Sequence, residues 1–205
     1  MRKYPFRRQR LRDTTGLERR ELLRAGLLGG AALWLPGGLR AASFPVLRLT
    51  EQDIEGPYYT PGAPERSVLR EKDMPGVRLE VTGRVLDLQG QPVPGALLDV
   101  WQCDSQGVYD NEGYTLRGKL YTDDAGLYSL QTIMPSEYDG GGFIRPAHIH
   151  LKLGAPQGPI LTTQLYFHGE PHNRTDPYVT PARILTPREG RGGQAARFDF
   201  VLQTG

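Results

Sequence analysis

Apolar and polar residues alternate with a period of two along several short stretches of this chain. Leu79-Glu80-Val81-Thr82-Gly83-Arg84-Val85 is the first, and a strand with one face on a core carries that pattern. Ala96 to Trp101 is apolar except for Asp99 and predicts a second strand. In a third, Leu127 to Ile133, Leu127, Ser129 and Gln131 alternate with Tyr128, Leu130 and Thr132. Strands are also predicted at Ala147–Leu153, Leu161–Phe167 and Arg197–Leu202. Gln89-Gly90-Gln91-Pro92-Val93-Pro94-Gly95, Asp104-Ser105-Gln106-Gly107 and Asp123-Asp124-Ala125-Gly126 supply turn chemistry between them. No stretch sustains a helical period. Short strands, many turns and no long helix predict an all-β fold, an antiparallel β-sandwich with long loops.

Three regions follow. Residues 79–205 form the sandwich, with 168–196 read as a long polar loop before the closing strand. Residues 43–78 show no period and carry Glu55-Gly56-Pro57-Tyr58-Tyr59, Pro61, Gly62 and Pro64; they read as an extended arm laid over the domain. Residues 1–42 read as an export signal. There, Arg19-Arg20-Glu21-Leu22-Leu23-Arg24 precedes a small and apolar run from Ala25 to Leu35, too short to span a bilayer comfortably and of signal-peptide length. The paired arginines resemble a twin-arginine signal, although Glu18 stands where Ser or Thr is usual and Leu22 where Phe is commoner. Ala41-Ala42-Ser43 is the candidate cleavage site. The expectation is a periplasmic or extracellular protein with no transmembrane span in the mature chain; the alternative is a plain basic tail.

Charge supports the division. The formal net charge of +2 hides ten Arg and Lys against three acids in residues 1–42, and 15 bases against 20 acids in the rest. A mildly acidic body gives no electrostatic case for a nucleic-acid partner. The 205 residues suit one domain with an extension. Cys103 is the only cysteine, so an intrachain disulfide and a thiolate zinc site are excluded.

The chemistry concentrates in Tyr138 to His150, where a phenol, a guanidinium and two imidazoles fall within thirteen residues. His148 and His150, two apart on a strand, project from one face, with Ile149, Leu151 and Leu153 on the other. Two neutral imidazoles on one rigid face make half of a metal site. A core strand with two hydrogen-bonded histidines is the plainer alternative. His168 and His172, the remaining histidines, fall in the polar loop and read as solvated.

Six pieces, kept in order over about residues 53–178, resemble the intradiol ring-cleavage dioxygenases, the family of catechol and protocatechuate 3,4-dioxygenases. They are Glu55-Gly56-Pro57-Tyr58-Tyr59; Asp99-Val100-Trp101-Gln102 followed by Gly107-Val108-Tyr109; Thr122-Asp123 through Gly126-Leu127-Tyr128; Thr132-Ile133-Met134-Pro135 with Tyr138; Arg145-Pro146-Ala147-His148-Ile149-His150; and Thr163-Gln164-Leu165-Tyr166-Phe167. The resemblance implies a non-haem Fe(III) cofactor held by Tyr109, Tyr138, His148 and His150. Tyr114 is a nearby rival to Tyr109, but the Gly107-Val108-Tyr109 context matches better. It further implies that Tyr138 leaves the metal to take up a substrate proton, that Arg145 stabilises negative charge developing on the ring, and that Gln164 orients substrate or oxygen. The implied partners are a catechol-type aromatic substrate and O2, and the implied product is a muconate-type diacid. Gly140-Gly141-Gly142 departs from relatives that carry bulkier residues there, which touches the pocket wall rather than a ligand.

Two other readings compete. Val81-Thr82-Gly83-Arg84-Val85 with Pro94-Gly95-Ala96 also resembles non-catalytic sandwich modules of the carboxypeptidase-regulatory type, which need neither Tyr109 nor the histidine pair. A zinc hydrolase fits less well, for want of a carboxylate base near the pair. The particular catechol and the oligomeric state, a homo-oligomer included, stay open.

Overall fold

The computed structural model describes residues 47–205, so the export signal expected at residues 1–42 lies outside the described residues. In chain order the strands are β1 (Arg78–Leu86), β2 (Leu97–Trp101), β3 (Arg117–Tyr121), β4 (Leu127–Ile133), β5 (Tyr138–Asp139), β6 (Ile144–Arg145), β7 (His148–Gly154), β8 (Ile160–Phe167), β9 (Ile184–Leu185), β10 (Arg188–Gly190), β11 (Gly193–Arg197) and β12 (Phe200–Val201). One sheet is centred on β1, which pairs with β4, β11 and β12. The other runs β3-β2-β7-β8-β9, and β5 and β6 form a separate hairpin. The two large sheets share one apolar core. Leu79, Val81, Val85 and Leu130 come from the first; Leu98, Val100, Ile149, Leu151 and Leu165 come from the second.

Five of the six predicted strands are present, and the fold is the all-β sandwich that their alternation implied. The longest pairings, β1 with β4 and β7 with β8, are antiparallel. Parallel pairs join β1 to β11 and β12, and β8 to β9. The stretch 168–196, expected as one loop, instead contains 3-10 turns at Pro171–Arg174 and Pro181–Arg183 and the short strands β9, β10 and β11. The expected strand Arg197–Leu202 is broken at Phe198–Asp199, where the Asp199 carboxylate accepts the Arg84 N–H at 2.9 Å. β11 and β12 exist because β1 offers them backbone partners more than a hundred residues away, a cause that leaves no local period, and β10 forms a hairpin on β11.

The second sheet is buried on both faces. Along β7 every residue but Lys152 is buried, because residues 51–59 cover the face turned away from the core. The Asp53 N–H donates to Thr162 O at 2.8 Å, and the Tyr59 hydroxyl donates to Asp99 Oδ2 at 3.0 Å. Glu55 pairs with Lys152, whose ammonium lies 4.3 Å from the Tyr59 ring centre. The arm therefore does more than pack: it roofs the face that bears the histidines.

Candidate active site

Strand register assembles the site. Trp101 on β2, His150 on β7 and Gln164 on β8 are cross-strand partners in one row. His148 and Tyr166 form the next row on the same face. Two loops bring the phenols. Tyr109 follows Gly107, whose φ is +82° and where an added Cβ would stand 2.6 Å from Glu137 O and 3.2 Å from Tyr138 Cβ. Glycine at 107 thus lets the two tyrosine-bearing loops close on each other. The Tyr109 and Tyr138 rings meet edge to face at 5.5 Å, Tyr138 lies 5.5 Å from the His148 ring, and Tyr109 lies 6.1 Å from the His150 ring. The four expected ligands therefore converge. Tyr114 does not join them; its hydroxyl donates outward to Pro61 O at 3.0 Å.

The imidazoles are set for a cation. His148 Nδ1 lies 2.6 Å from Pro146 O. A carbonyl only accepts, so Nδ1 carries the proton and Nε2 presents its lone pair, the usual orientation of a metal-binding histidine. That Nε2 is 3.0 Å from His150 Nε2. Two nitrogens at about 2.1 Å from one ion, the bond length of imidazole on zinc, and at right angles to each other would be about 3.0 Å apart. Burial first, then the Arg145 charge, lowers the His148 pKa to about 3. Burial, then His148, pushes His150 well below its ordinary value. Both rings are therefore neutral, the form that binds metal. His150 is stacked on Trp101 at 4.8 Å and 9°, which fixes its plane.

The phenols complete the set. Burial raises the Tyr109 pKa, and Tyr138 adds to the rise. Burial also raises Tyr138, against the pull of Arg145. Without a cation both stay protonated; a hard cation reverses that preference. Trp101 Nε1, Tyr109 Oη and His150 Nδ1 are three of the four buried side-chain polar atoms that lack a hydrogen-bond partner among the described residues. Buried polar groups are rarely left so, and an ion held between the rings would answer the Tyr109 oxygen. No cluster of three or more His, Cys, Asp or Glu positioned for a metal occurs among the described residues. If the histidine pair holds a metal, Tyr109 and Tyr138 are the further donors beside it, a set that would suit hard trivalent iron better than a zinc hydrolase or a two-histidine, one-carboxylate site.

A cleft of about 350 Å³ opens beside this centre, lined by Ile54, Pro57, Tyr58, Tyr138, Asp139, Gly140, Gly141, Phe143, Arg145 and Tyr178. Tyr138 is half-buried on its wall, whereas Tyr109 is buried behind, with Tyr58 stacked on it at 4.3 Å. Arg145 is buried. Its Nε donates to Asp176 Oδ2 at 2.5 Å, and its terminal nitrogen donates to Gln164 Oε1 at 2.8 Å. Gln164 Nε2 donates to Ile54 O at 2.8 Å, and its Oε1 also accepts the Tyr166 hydroxyl at 3.0 Å, so the amide ties the arginine to the arm. The sequence reading missed Asp176 and Tyr178, which flank the arginine, and it gave Tyr58 no role beyond its place in the arm. The only signal for Tyr58 was its place beside Gly56-Pro57.

Comparison with known proteins agrees with this geometry. A family model described as Dioxygenase matches residues 54–204. The catechol 1,2-dioxygenase of Candida albicans is 35% identical over 151 residues, covering 62% of this chain and 50% of that protein. The chlorocatechol 1,2-dioxygenase of Rhodococcus opacus is 28% identical over 218 aligned positions, covering 89% of this chain and 85% of that protein. The dioxygenase domain of a carbohydrate-binding fusion protein from Streptomyces sp. SirexAA-E superimposes with a TM-score of 0.73 at 43% identity, covering 77% of this chain and all of that one. The 3-chlorocatechol 1,2-dioxygenase structure from Rhodococcus opacus 1CP gives 0.70 at 32% identity, covering 75% and 72%. The chain spans about half the length of several curated catechol 1,2-dioxygenases that it matches. A match across most of the described residues, on a sandwich that gathers two tyrosines and a histidine pair beneath one cleft, leaves no role for the carboxypeptidase-type module, and the chain belongs to the intradiol ring-cleavage dioxygenase family.

Proposed function

We propose that this protein is a non-haem Fe(III) dioxygenase that inserts O2 between the two hydroxyl-bearing carbons of a catechol, giving a muconate-type diacid. The observation that carries this reading is the pair of neutral imidazole nitrogens, 3.0 Å apart, facing two tyrosines beneath a cleft. Tyr109, Tyr138, His148 and His150 would hold the iron. When bound, ferric iron supplies a hard Lewis acid that keeps phenols ionised at neutral pH and binds both oxygens of a catechol.

The chain's own groups do the rest. Tyr138 lines the cleft and is only half-buried, so its phenol oxygen is the one placed to take a proton from an entering substrate hydroxyl. Tyr109, buried beneath Tyr58, stays fixed. The Arg145 guanidinium reaches the cleft wall already oriented by Asp176 and Gln164, and stabilises negative charge developing on the ring. Tyr58, Phe143 and Tyr178 wall the cleft with aromatic surface, which suits a flat ring and sheds water. The twin-arginine-like leader supports export of the folded protein; retention of the full chain in the cytoplasm on fractionation would argue against it.

The test of the reaction uses iron-loaded full-length protein. A broad visible band from tyrosinate-to-iron charge transfer is expected, with one O2 consumed per catechol and the ultraviolet absorption of a conjugated diacid. Iron-bound protein without the band, or no oxygen uptake with any catechol, sinks the proposal.

A further inference from the structure

We infer that Arg117 is a positioning residue for Tyr109: its guanidinium clamps the main chain on both sides of the Tyr58–Tyr109 stack, and so keeps Tyr109 in place while Tyr138 is left to move. The inference rests on the ferric reading above and names what makes its two tyrosines unequal.

Arg117 opens β3 opposite Trp101, so Arg117, Trp101, His150 and Gln164 form one row across the outer face of the sheet. The arginine is 1% exposed, and it makes no ion pair among the described residues. A buried cation without a counter-ion is costly. What this one meets instead is main-chain oxygen. Its Nε and one terminal nitrogen donate to Asp110 O at 3.0 and 2.7 Å, and the other terminal nitrogen donates to Tyr58 O at 2.6 Å. Asp110 follows Tyr109 in the chain. Tyr58 is the residue whose ring lies on Tyr109, at 4.3 Å and 13°. One planar fork therefore holds the backbone of both partners in the stack, a geometry that an ammonium does not reproduce.

Tyr109 depends on this hold because its hydroxyl has no hydrogen-bond partner among the described residues. The direction of its oxygen is set by the neighbours of its ring and by its backbone. The far ends of the clamp are themselves anchored. The Asp110 carboxylate accepts the Gly113 N–H at 2.7 Å and the Thr115 N–H at 2.9 Å, which fixes the loop, and Arg66 Nε donates to Arg117 O at 2.9 Å. Tyr138 sits in a looser frame. Its strand β5 pairs only with β6, and the turn between them runs through Gly141 and Gly142, where an added Cβ would meet nothing within 4 Å.

The experiment compares full-length wild type with Arg117→Lys, which keeps the charge and loses the fork. In crystals of the metal-free proteins, the Tyr58–Tyr109 stack should be intact in wild type and opened or tilted in the variant. In the iron-loaded proteins, the visible tyrosinate band should shift and weaken in the variant. Its kcat for 4-methylcatechol should fall about 10–100-fold, with KM changed by less than about threefold. An intact stack in the variant overturns the inference, whatever its melting temperature; so does a displaced stack with unchanged band and kcat. Should Arg117→Lys not fold, Asp110→Ala frees the loop end of the clamp, and the same changes are expected at smaller size. Their absence there overturns the inference. A wild type that cleaves no catechol sinks the reaction proposed above, and the stack in the metal-free crystals then decides by itself whether Arg117 holds Tyr109.

Discussion

The sheet formed by β2, β7 and β8 is buried on both faces, and the two burials differ in kind. Leu98, Val100, Ile149, Leu151 and Leu165 face the core and need only close-packed apolar neighbours. Asp99, Trp101, His148, His150, Gln164 and Tyr166 face the other way, and most need named partners. Those partners come from residues 51–59 and, for His148 and Gln164, from Pro146 O and Arg145. A step of one residue along a strand exchanges one task for the other. The core face makes the sandwich. The outer face is then free to hold groups that cost stability, and some of the groups around it, such as Tyr109 Oη and His150 Nδ1, have no hydrogen-bond partner among the described residues.

The sharpest way to break this comparison is to cut adjacent residues of β7. Leu151→Ala should cost about 2–5 kcal/mol of folding stability, read by denaturant unfolding. The surviving folded protein should keep its iron content and visible band. His150→Ala should cost less stability in the metal-free protein, since it also removes an unpaired buried nitrogen. Loss of a group that only supports a ligand costs a metal site about 10–100-fold, so loss of His150, a ligand in the proposal above, should lower activity by more than about 100-fold. If the histidine variant kept its iron and lost as much stability as the leucine variant, the two faces would not divide the work.

A smaller effect separates holding from touching. Asp176 is buried with no side-chain exposure. One oxygen accepts from Arg145 Nε and the other accepts the Tyr178 N–H at 2.8 Å. It thereby fixes both the guanidinium and the start of the aromatic wall, whose Tyr178 ring lies 5.0 Å from the Arg145 carbon. Asp176→Asn should lower kcat about 10–100-fold with little change in KM, because a small misplacement of an electrostatic group costs about that much. Arg145→Lys should do the same, since an ammonium lacks the planar fork that reaches Asp176 and Gln164 together. An Asp176→Asn enzyme with lowered thermal stability and unchanged kcat would make Asp176 a structural residue only.

The core face was legible in the sequence because its signal is local. Alternation in Leu79–Val85 and Leu127–Ile133 needs no knowledge of the partner strand. His148 and His150 were legible for the same reason. β3 was not: Arg117-Gly118-Lys119-Leu120-Tyr121 shows no apolar alternation, because buried Arg117 donates to Asp110 O at 3.0 Å and to Tyr58 O at 2.6 Å where an aliphatic residue would otherwise pack. β11 was hidden because its pairing with β1 joins residues more than a hundred positions apart. Asp176 lies in a stretch without periodicity, 31 residues from the arginine it holds. Tyr109 and Tyr138 were identifiable only through the resemblance to a family, since a tyrosine in a loop carries no pattern of its own.

The mildest test concerns how the roof is fastened, and it turns on pH. Asp99 is buried on the outer face. It accepts from the Tyr59 hydroxyl and lies 3.9 Å from Lys119 Nζ. Burial raises its pKa above the ordinary carboxylate value, against the lowering effects of Tyr59, Lys119, Lys152 and Arg117. The folded protein therefore keeps this proton to higher pH than the unfolded chain does. The resulting stability is fully present below the unfolded carboxylate pKa and is lost as pH rises through the raised folded value. Asp99→Asn cannot titrate and still offers Tyr59 an oxygen, so the difference in melting temperature between variant and wild type should move in the variant's favour as pH rises across that window. At neutral pH the two should differ by no more than about 1 kcal/mol, as a buried charge and its neutral isostere often do. Tyr59→Phe should cost about 1 kcal/mol and speed hydrogen exchange in residues 51–59 first. A melting-temperature difference that stayed constant with pH would show that Asp99 titrates alike in the folded and unfolded chain, so that its charged neighbours cancel the effect of burial.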